Sequence, residues 1–273
     1  MKERLDTLLV AQGHFPTREQ ARRAIQAGWV QVNHQVVDKP GAWVAVDSQI
    51  TVQSRSPYVS RGGEKLAHAL RAFHIQVTDR VALDGGISSG GFTDCLLQAG
   101  ARRVYGVDVG YGQVAWSLRQ DPRVKVLERT NLRYLRPEQL YAPGDPWPDL
   151  GVLDLSFISV TKVLPAVWDL LLPPRELVIL VKPQFEVGRQ QVGKGGVVRS
   201  PQAQAQAIQT VAQAAMTLGW QVHGLTASPL LGPAGNREFL LWLRLDHPPA
   251  PLDWPVHLQR VVTEDSRSGG DRH

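Results

Sequence analysis

Four charged residues stand where an otherwise apolar pattern would not place them. Lys65 opens a segment in Ser60-Arg61-Gly62-Gly63-Glu64-Lys65-Leu66, Asp154 ends the apolar run Leu150-Gly151-Val152-Leu153, Lys182 ends Val178-Ile179-Leu180-Val181, and Glu238 heads Phe239-Leu240 after Gly235-Asn236-Arg237. Any one of them alone reads as a strand-end charge reaching solvent. Together they form a set: three of them follow or precede strands of one parallel sheet, so that Lys65, Asp154, Lys182 and Glu238 can converge at its carboxyl edge. Such a set suits methyl transfer to a ribose 2′-hydroxyl, a weak acid that must lose its proton as the new bond forms. A free lysine is protonated at neutral pH, so a lysine base needs burial or a second cation beside it. Lys182 is the base in this reading, Lys65 supplies the second cation, and Asp154 and Glu238 orient both ammonium groups.

A cofactor loop is legible upstream. Val81-Ala82-Leu83-Asp84 is a short apolar strand ending in an acid, and Gly85-Gly86-Ile87-Ser88-Ser89-Gly90-Gly91-Phe92-Thr93-Asp94 leads from it into a helix. Glycines there let backbone approach a ligand and adopt conformations closed to other residues. A second strand, Val104 to Val107, ends in Asp108, placed to hold ribose hydroxyls beyond the carboxyl ends of the strands. The glycines at 85, 86, 90 and 91 do not match the dinucleotide spacing Gly-x-Gly-x-x-Gly, and no Lys-Ser/Thr closes the loop as in a phosphate-binding P-loop. An acid at the strand end repels a pyrophosphate and accepts from an ammonium. S-adenosyl-L-methionine, with an ammonium, a sulfonium and a ribose, satisfies both acids; Asp84, Gly86, Ser88, Ser89, Gly90, Gly91, Phe92 and Asp108 are the candidate cofactor residues. The alternative is a glycine-rich turn without a ligand. A nicotinamide oxidoreductase lacks its glycine spacing here.

The elements that must position these residues alternate. Helices are predicted at about 64–74, 90–99, 112–119, 160–171 and 201–218, and strands at 80–84, 103–108, 149–154, 176–182, 220–226 and 237–245. Alternation of this kind predicts an α/β fold with a doubly wound parallel sheet over residues 64–247. Residues 1–54 form a separate small α+β unit. Leu5, Leu8 and Leu9 recur at helical spacing, and Thr17 with Gln20 marks the start of a helix over 18–27 that Gly28 stops. Alternating valines on either side of Asn33-His34 then predict a hairpin, with two more short strands around Val44–Val46 and Ile50–Val52. Residues 55–63, rich in Gly, Pro and Ser, read as a linker, and the Pro-rich 248–273 as a peripheral, mobile tail.

Composition narrows the class. The 273 residues are 43% hydrophobic and 20% charged, ordinary for folded soluble proteins. One cysteine, Cys95, excludes an internal disulfide and thiolate-rich metal sites, fits a reducing cytoplasm, and is read as packing. The histidines show no ligand spacing, so no metal is expected. No signal peptide or membrane span is evident, and a monomer is the expectation. Thirty basic residues against 25 acidic give +5, and residues 1–65 hold nine of the basic and six of the acidic side chains. That bias points to a polyanionic partner. Arg18, Arg22 and Arg23 lie on the second predicted helix, where a solvated face is the bland alternative.

The pattern Arg4-Leu5-Asp6, Thr17-Arg18-Glu19-Gln20-Ala21, Gly28-Trp29-Val30-Gln31-Val32-Asn33 and a Val-rich hairpin resembles the RNA-binding domain named after ribosomal protein S4. The resemblance implies that Arg4, Arg18, Arg22, Arg23 and Arg61 touch RNA phosphates and shape, contacts that position RNA without reading its sequence. Ser-Arg-Gly-Gly-Glu-Lys-Leu, Asp-x-x-x-Ser-x-Gly-Gly-Phe-Thr-Asp, Asp-Leu-Ser-Phe-Ile-Ser, Lys-Pro-Gln-Phe-Glu and Gly-Asn-x-Glu follow in order, and the whole resembles the TlyA (hemolysin A) family, with a catalytic domain similar to the FtsJ-type ribose methyltransferases. The chain departs from that pattern at Gly85, where an aliphatic residue is usual, and at Ile87, where a small one is. The resemblance implies a Rossmann-like S-adenosylmethionine-dependent methyltransferase domain acting on cytidine 2′-hydroxyls of 16S or 23S ribosomal RNA within ribosomal subunits. It also implies a Lys-Asp-Lys-Glu tetrad at Lys65, Asp154, Lys182 and Glu238. Two other readings stay open at this point: a ribosome-associated RNA-binding protein without turnover, and a hemolysin acting on membranes, for which no membrane-seeking segment is evident.

Overall fold

A computed structural model describes residues 2–52, 56–245 and 253–264. The first unit holds β1 (Lys2–Arg4), α1 (Leu5–Ala11), α2 (Arg18–Gln26), β2 (Val30–Val32), β3 (Gln35–Val36), β4 (Trp43–Ala45) and β5 (Ile50–Val52). Thr17 caps α2, its hydroxyl accepting from the Gln20 amide at 3.3 Å. Asn33 and His34 both take left-handed backbone, φ 50° and 65°, which is the geometry a two-residue turn needs to match strand twist. The apolar stripes of both helices, Leu5, Leu9, Ala21, Ala24 and Ile25, meet Val30 and Val32 in one small core. The sequence pattern missed β1, which pairs antiparallel with β4; three residues are too few to display an alternation.

The second unit runs through α3 (Gly62–Ala72), β6 (Val81–Gly85), α4 (Gly91–Gln98), β7 (Arg103–Val107), α5 (Trp116–Arg119), β8 (Val124–Leu127), α6 (Pro137–Leu140), β9 (Leu150–Leu153), α7 (Leu164–Leu170), β10 (Glu176–Val181), α8 (Pro183–Glu186), α9 (Pro201–Thr217), β11 (Gln221–Ala227), β12 (Phe239–Arg244) and α10 (Trp254–Thr263). Seven strands form one sheet in the order β11-β12-β10-β9-β6-β7-β8. Side chains of β6, β7, β9 and β10 alternate between two cores. One face packs on α7, α9 and α10, the other on α3, α4 and α5. The strands are buried on both sides, as a doubly wound sheet requires.

Five features differ from the sequence reading. The sheet is mixed, because β12 pairs antiparallel with both β10 and β11. Strand β8 was not predicted, and the predicted helix 112–119 shrinks to α5. Helix α3 starts at Gly62, inside the stretch read as linker. Within the stretch read as a mobile tail, 253–264 is ordered: Asp253 caps α10 by accepting from the Val256 amide, and Leu258, Val261 and Val262 are buried against the sheet domain. Residues 53–54 at the end of the predicted small domain, residue 55 of the predicted linker, and 248–252 and 265–273 of the predicted tail lie outside the described residues.

Candidate active site and its relatives

Chain order reverses between β6 and β9, the two neighbouring central strands, and beyond the carboxyl end of such a switch point open α/β sheets bind ligands. There β6 passes into the glycine loop. Gly86 has φ 86°, and a Cβ on it would lie 2.5 Å from the Asp154 carbonyl oxygen at the end of β9. Only glycine allows both the conformation and that approach. Gly90, φ 96°, precedes α4 and is closed over by Leu118. The unusual pair at 85 and 87 is a packing adjustment. Leu153 and Leu132 occupy the space a side chain on Gly85 would need, and Ile87 is buried over Gly106, where a Cβ would strike it.

Asp84, fully buried at the end of β6, accepts from the Thr93 hydroxyl at 2.6 Å through Oδ2, while Oδ1 has no hydrogen-bond partner among the described residues. Burial pushes its carboxyl up to about 7, and the nearby Asp154 and Asp108 push in the same direction against the Thr93 bond. Asp108, after β7, accepts from the Ser88 amide at 2.7 Å and from the Gly110 amide at 2.7 Å, tying the glycine loop to the loop after β7. A cavity of about 520 Å³ opens here, lined by Gly86, Ser88, Asp108, Asn131, Asp154 and Phe157 among others. That volume is in the range of sites for small organic ligands.

A second cavity, about 230 Å³, lies on the other side of the loop. Gly86, Ser88 and Asp154 line both, while Ser89, Gly91, Phe92, Arg61 and Lys65 line this one, and Gly28, Val36 and Asp38 of the first unit close it. The four charged residues form two ion pairs. Lys65 Nζ lies 2.5 Å from Glu238 Oε2, and Lys182 Nζ lies 2.6 Å from Asp154 Oδ1 while donating to the Ser156 hydroxyl at 2.9 Å. Both pairs are largely screened from water. Glu238 heads β12, and because β12 is antiparallel its start lies at the same sheet edge as the ends of β9 and β10. Gly232 leaves room for the Glu238 carboxylate, which a Cβ would strike. Each lysine has an acid of its own, Lys65 with Glu238 and Lys182 with Asp154. Sequence spacing gives no means of assigning those two pairings.

The cofactor candidates thus separate. Gly86, Ser88 and Asp108 line the larger cavity, Ser89, Gly91 and Phe92 face only the smaller one, Asp84 lies beneath the loop, and Gly90 serves its bend. Asn131 and Phe157 were missed as lining residues. Asn131 follows the unpredicted β8, and Phe157, 92% exposed with φ 64°, lay inside a quoted motif without being singled out. Among the arginines, Arg18, Arg22 and Arg23 are exposed on α2, Arg23 paired with Glu19. Arg4 and Arg18 both bond the buried Asp6. Arg61 lies apart from them in the cleft between the units, against Gly28 and donating to the Leu231 carbonyl at 3.3 Å.

Comparison with known proteins agrees with this architecture. The S4 domain family matches residues 3–50 and the FtsJ-like methyltransferase family residues 58–245. The 16S/23S rRNA (cytidine-2′-O)-methyltransferase TlyA of Mycobacterium tuberculosis is 50% identical over 245 residues, covering 89% of this chain and 90% of that one. Hemolysin A of Brachyspira hyodysenteriae is 38% identical, covering 87% and 98%. The solved structure of a candidate hemolysin from Streptococcus thermophilus, 43% identical, superposes with a TM-score of 0.74 over 96% of this chain and 94% of that one. Among the described residues no helix is long and apolar enough to cross a membrane. With its S4 domain, its seven-stranded sheet and matches that span both units, the chain belongs to the FtsJ-like methyltransferase family, in the branch that contains TlyA and hemolysin A.

Proposed function

We propose that this protein methylates the 2′-hydroxyl of cytidine in ribosomal RNA, using S-adenosyl-L-methionine, on ribosomal subunits in the cytoplasm. The observation that carries the reading is the position of Asp154. It forms part of the wall shared by two cavities and holds Lys182, while Lys65, paired with Glu238, lines the smaller cavity. A donor in the larger cavity and a ribose in the smaller one would meet at that wall.

The residues fit this cofactor. Glycines 86 and 90 leave backbone where a Cβ cannot go, and Asp84 keeps a buried oxygen unbonded beneath the loop, an acceptor suited to an ammonium group. Asp108 and Asn131 would face the ribose. When bound, the cofactor supplies an electrophilic methyl on sulfur. The chain's own residues do the rest: Lys182, as the neutral amine, takes the hydroxyl proton as the oxygen–carbon bond forms and the carbon–sulfur bond breaks, and Asp154 fixes the direction of its Nζ. Glu238 fixes Lys65, whose cation together with Arg61 holds the phosphate beside the target. Positioning supplies most of the acceleration in such a displacement. Arg4, Arg18, Arg22 and Arg23 of the S4 domain hold the RNA at a distance from the reacting atoms.

The test is transfer of labelled methyl groups to isolated ribosomal subunits, with the product mapped to ribose or base. The native chain labels ribose, and Lys182→Ala loses about 10²- to 10⁴-fold in rate with cofactor affinity retained. Base methylation, or an undiminished rate in Lys182→Ala, overturns the assignment. No incorporation on either subunit with cofactor bound leaves an RNA-binding role instead.

A further inference from the structure

The S4 domain carries one aromatic ring that its core does not use. Trp43 on β4 is 66% exposed and stacks on no ring or cation among the described residues. Strand register explains its direction. Glu3 pairs with Val44, and Val44 packs on the small core, so Lys2, Arg4, Trp43 and Ala45 share the outer face of the β1–β4 ribbon. Arg4 is the direct cross-strand partner of Trp43, a spacing of about 5 Å between Cβ atoms.

That neighbour is held in place. Arg4 Nε and Nη2 bond the two oxygens of Asp6 at 3.1 and 3.0 Å, and Arg18 Nε bonds Oδ2 of the same carboxylate at 3.0 Å. Asp6 is fully buried, whereas the arginine side chains remain 42% and 55% exposed. The guanidinium of Arg4 lies against Gly41, two residues from Trp43. Lys2 and Lys39 are exposed close by in sequence. Two partly exposed cations are thus held by one hidden acid, and one of them, Arg4, is the cross-strand neighbour of the exposed indole. An isolated exposed tryptophan needs no explanation; one beside a fixed guanidinium, with a second guanidinium on the same carboxylate, matches the two chemistries of a nucleotide, an aromatic base and a phosphate.

We propose that Trp43 stacks on an unpaired base of the RNA while Arg4 and Arg18, oriented by Asp6, hold a phosphate of the same strand. The base must be unpaired because in an A-form helix base faces are occupied by their neighbours, and only loops, bulges and ends present them. This rests on the RNA-directed reading above and narrows it: the S4 domain recognises a loop of a stem rather than the stem alone.

The full-length chain is titrated, without cofactor, with a labelled RNA stem–loop and with the same stem closed as a blunt duplex. Trp43→Ala lowers stem–loop affinity about 5- to 100-fold and leaves duplex affinity within about twofold, and Trp43→Phe restores most of the loss. Arg18→Gln weakens both RNAs and reduces the magnitude of the salt slope by about one, which Trp43→Ala does not. Equal losses on loop and duplex after Trp43→Ala, or no loss on either, overturn the stacking; in the second case the ring is free for a protein contact. Methyl incorporation by the native chain is read separately. Failure there sinks the transferase reading, and an unmoved loop affinity sinks only the present one.

Discussion

Two aspartates of this protein lack exposed surface yet lie at different depths, and they behave in opposite ways. Asp6, in the S4 domain, and Asp84, beneath the glycine loop, both have no exposed surface. Asp6 accepts from the Arg4 and Arg18 guanidiniums, and Arg4 above all holds its carboxyl down at about 2. Asp84 has a single hydroxyl donor and two acidic neighbours, and burial drives it up to about 7. Depth and partners together set the charge: Asp6 lies shallow between two arginines, and Asp84 lies deep in the sheet domain with one hydroxyl donor. In one region the acid holds two partly exposed cations; in the other it keeps one oxygen unbonded among the described residues, the acceptor that the proposed reading gives to an ammonium group. Closed internal networks and open ones are the signatures of support and of binding respectively.

The sharpest way to break the comparison is to remove Asp6. Asp6→Ala leaves Arg4 and Arg18 without their common acceptor and is expected to cost about 2 to 3 kcal/mol, toward the lower end for a broken pair because both arginines reach solvent. Chemical denaturation checks this. The sign with pH follows from the lowered carboxyl: its stabilisation is fully present above the unfolded value near 4 and is lost as pH falls through about 2. Asp84 has the reverse slope. Its folded form keeps a proton that the unfolded chain has released, so its contribution to stability declines as pH rises from about 4 to 7. Carboxyl titration by NMR, with Asp84→Asn to assign the signal, reads both directly. Equal titration midpoints for the two acids would dissolve the distinction.

Ligand affinity gives the next largest effect. If the carboxylate form of Asp84 is the one that receives an ammonium group, affinity for S-adenosylmethionine rises about tenfold between pH 6 and pH 8, as the ionised fraction rises. Calorimetry at the two pH values measures it. Asp84→Asn binds more weakly and shows a flat profile; a flat profile in the native chain would mean that Asp84 serves the loop and not the ligand.

The same contrast explains what the sequence could disclose. The S4 domain and the strand-end charges are legible because they sit in local patterns: a capping Thr17 before Arg18, a two-residue turn at Asn33-His34, and single charges at Asp154 and Lys182 closing apolar runs. Pairing was not legible. That Lys65 meets Glu238 across 173 residues, and Lys182 meets Asp154, follows from strand order and from the reversed direction of β12, which no local window contains. Strand β8 escaped because its four residues follow Asp121-Pro122-Arg123 and are only half-buried at the sheet edge. Helix α10 did leave a trace: Asp253 ahead of Pro255, then Leu258, Val261 and Val262 at helical spacing. A Pro-rich approach masked it. Asp6 likewise looked like any surface acid of a first turn, and only the convergence of Arg4 and Arg18 from two elements shows why it is buried.

The smallest and most discriminating change is at Thr93, whose hydroxyl is the one side-chain donor to Asp84 among the described residues. Thr93→Val keeps the shape and removes the bond. Because that bond favours the charged carboxylate, its loss raises the Asp84 carboxyl further, and a net value of about 1 kcal/mol for such a bond predicts an affinity for S-adenosylmethionine about threefold lower at pH 7. At pH 9 the carboxylate is ionised in both proteins, and the difference should vanish. A threefold loss that persists at pH 9 would instead locate the effect of Thr93 in the packing of α4 against β6. The pH dependence of the difference, rather than its size, therefore decides whether Asp84 acts through its charge.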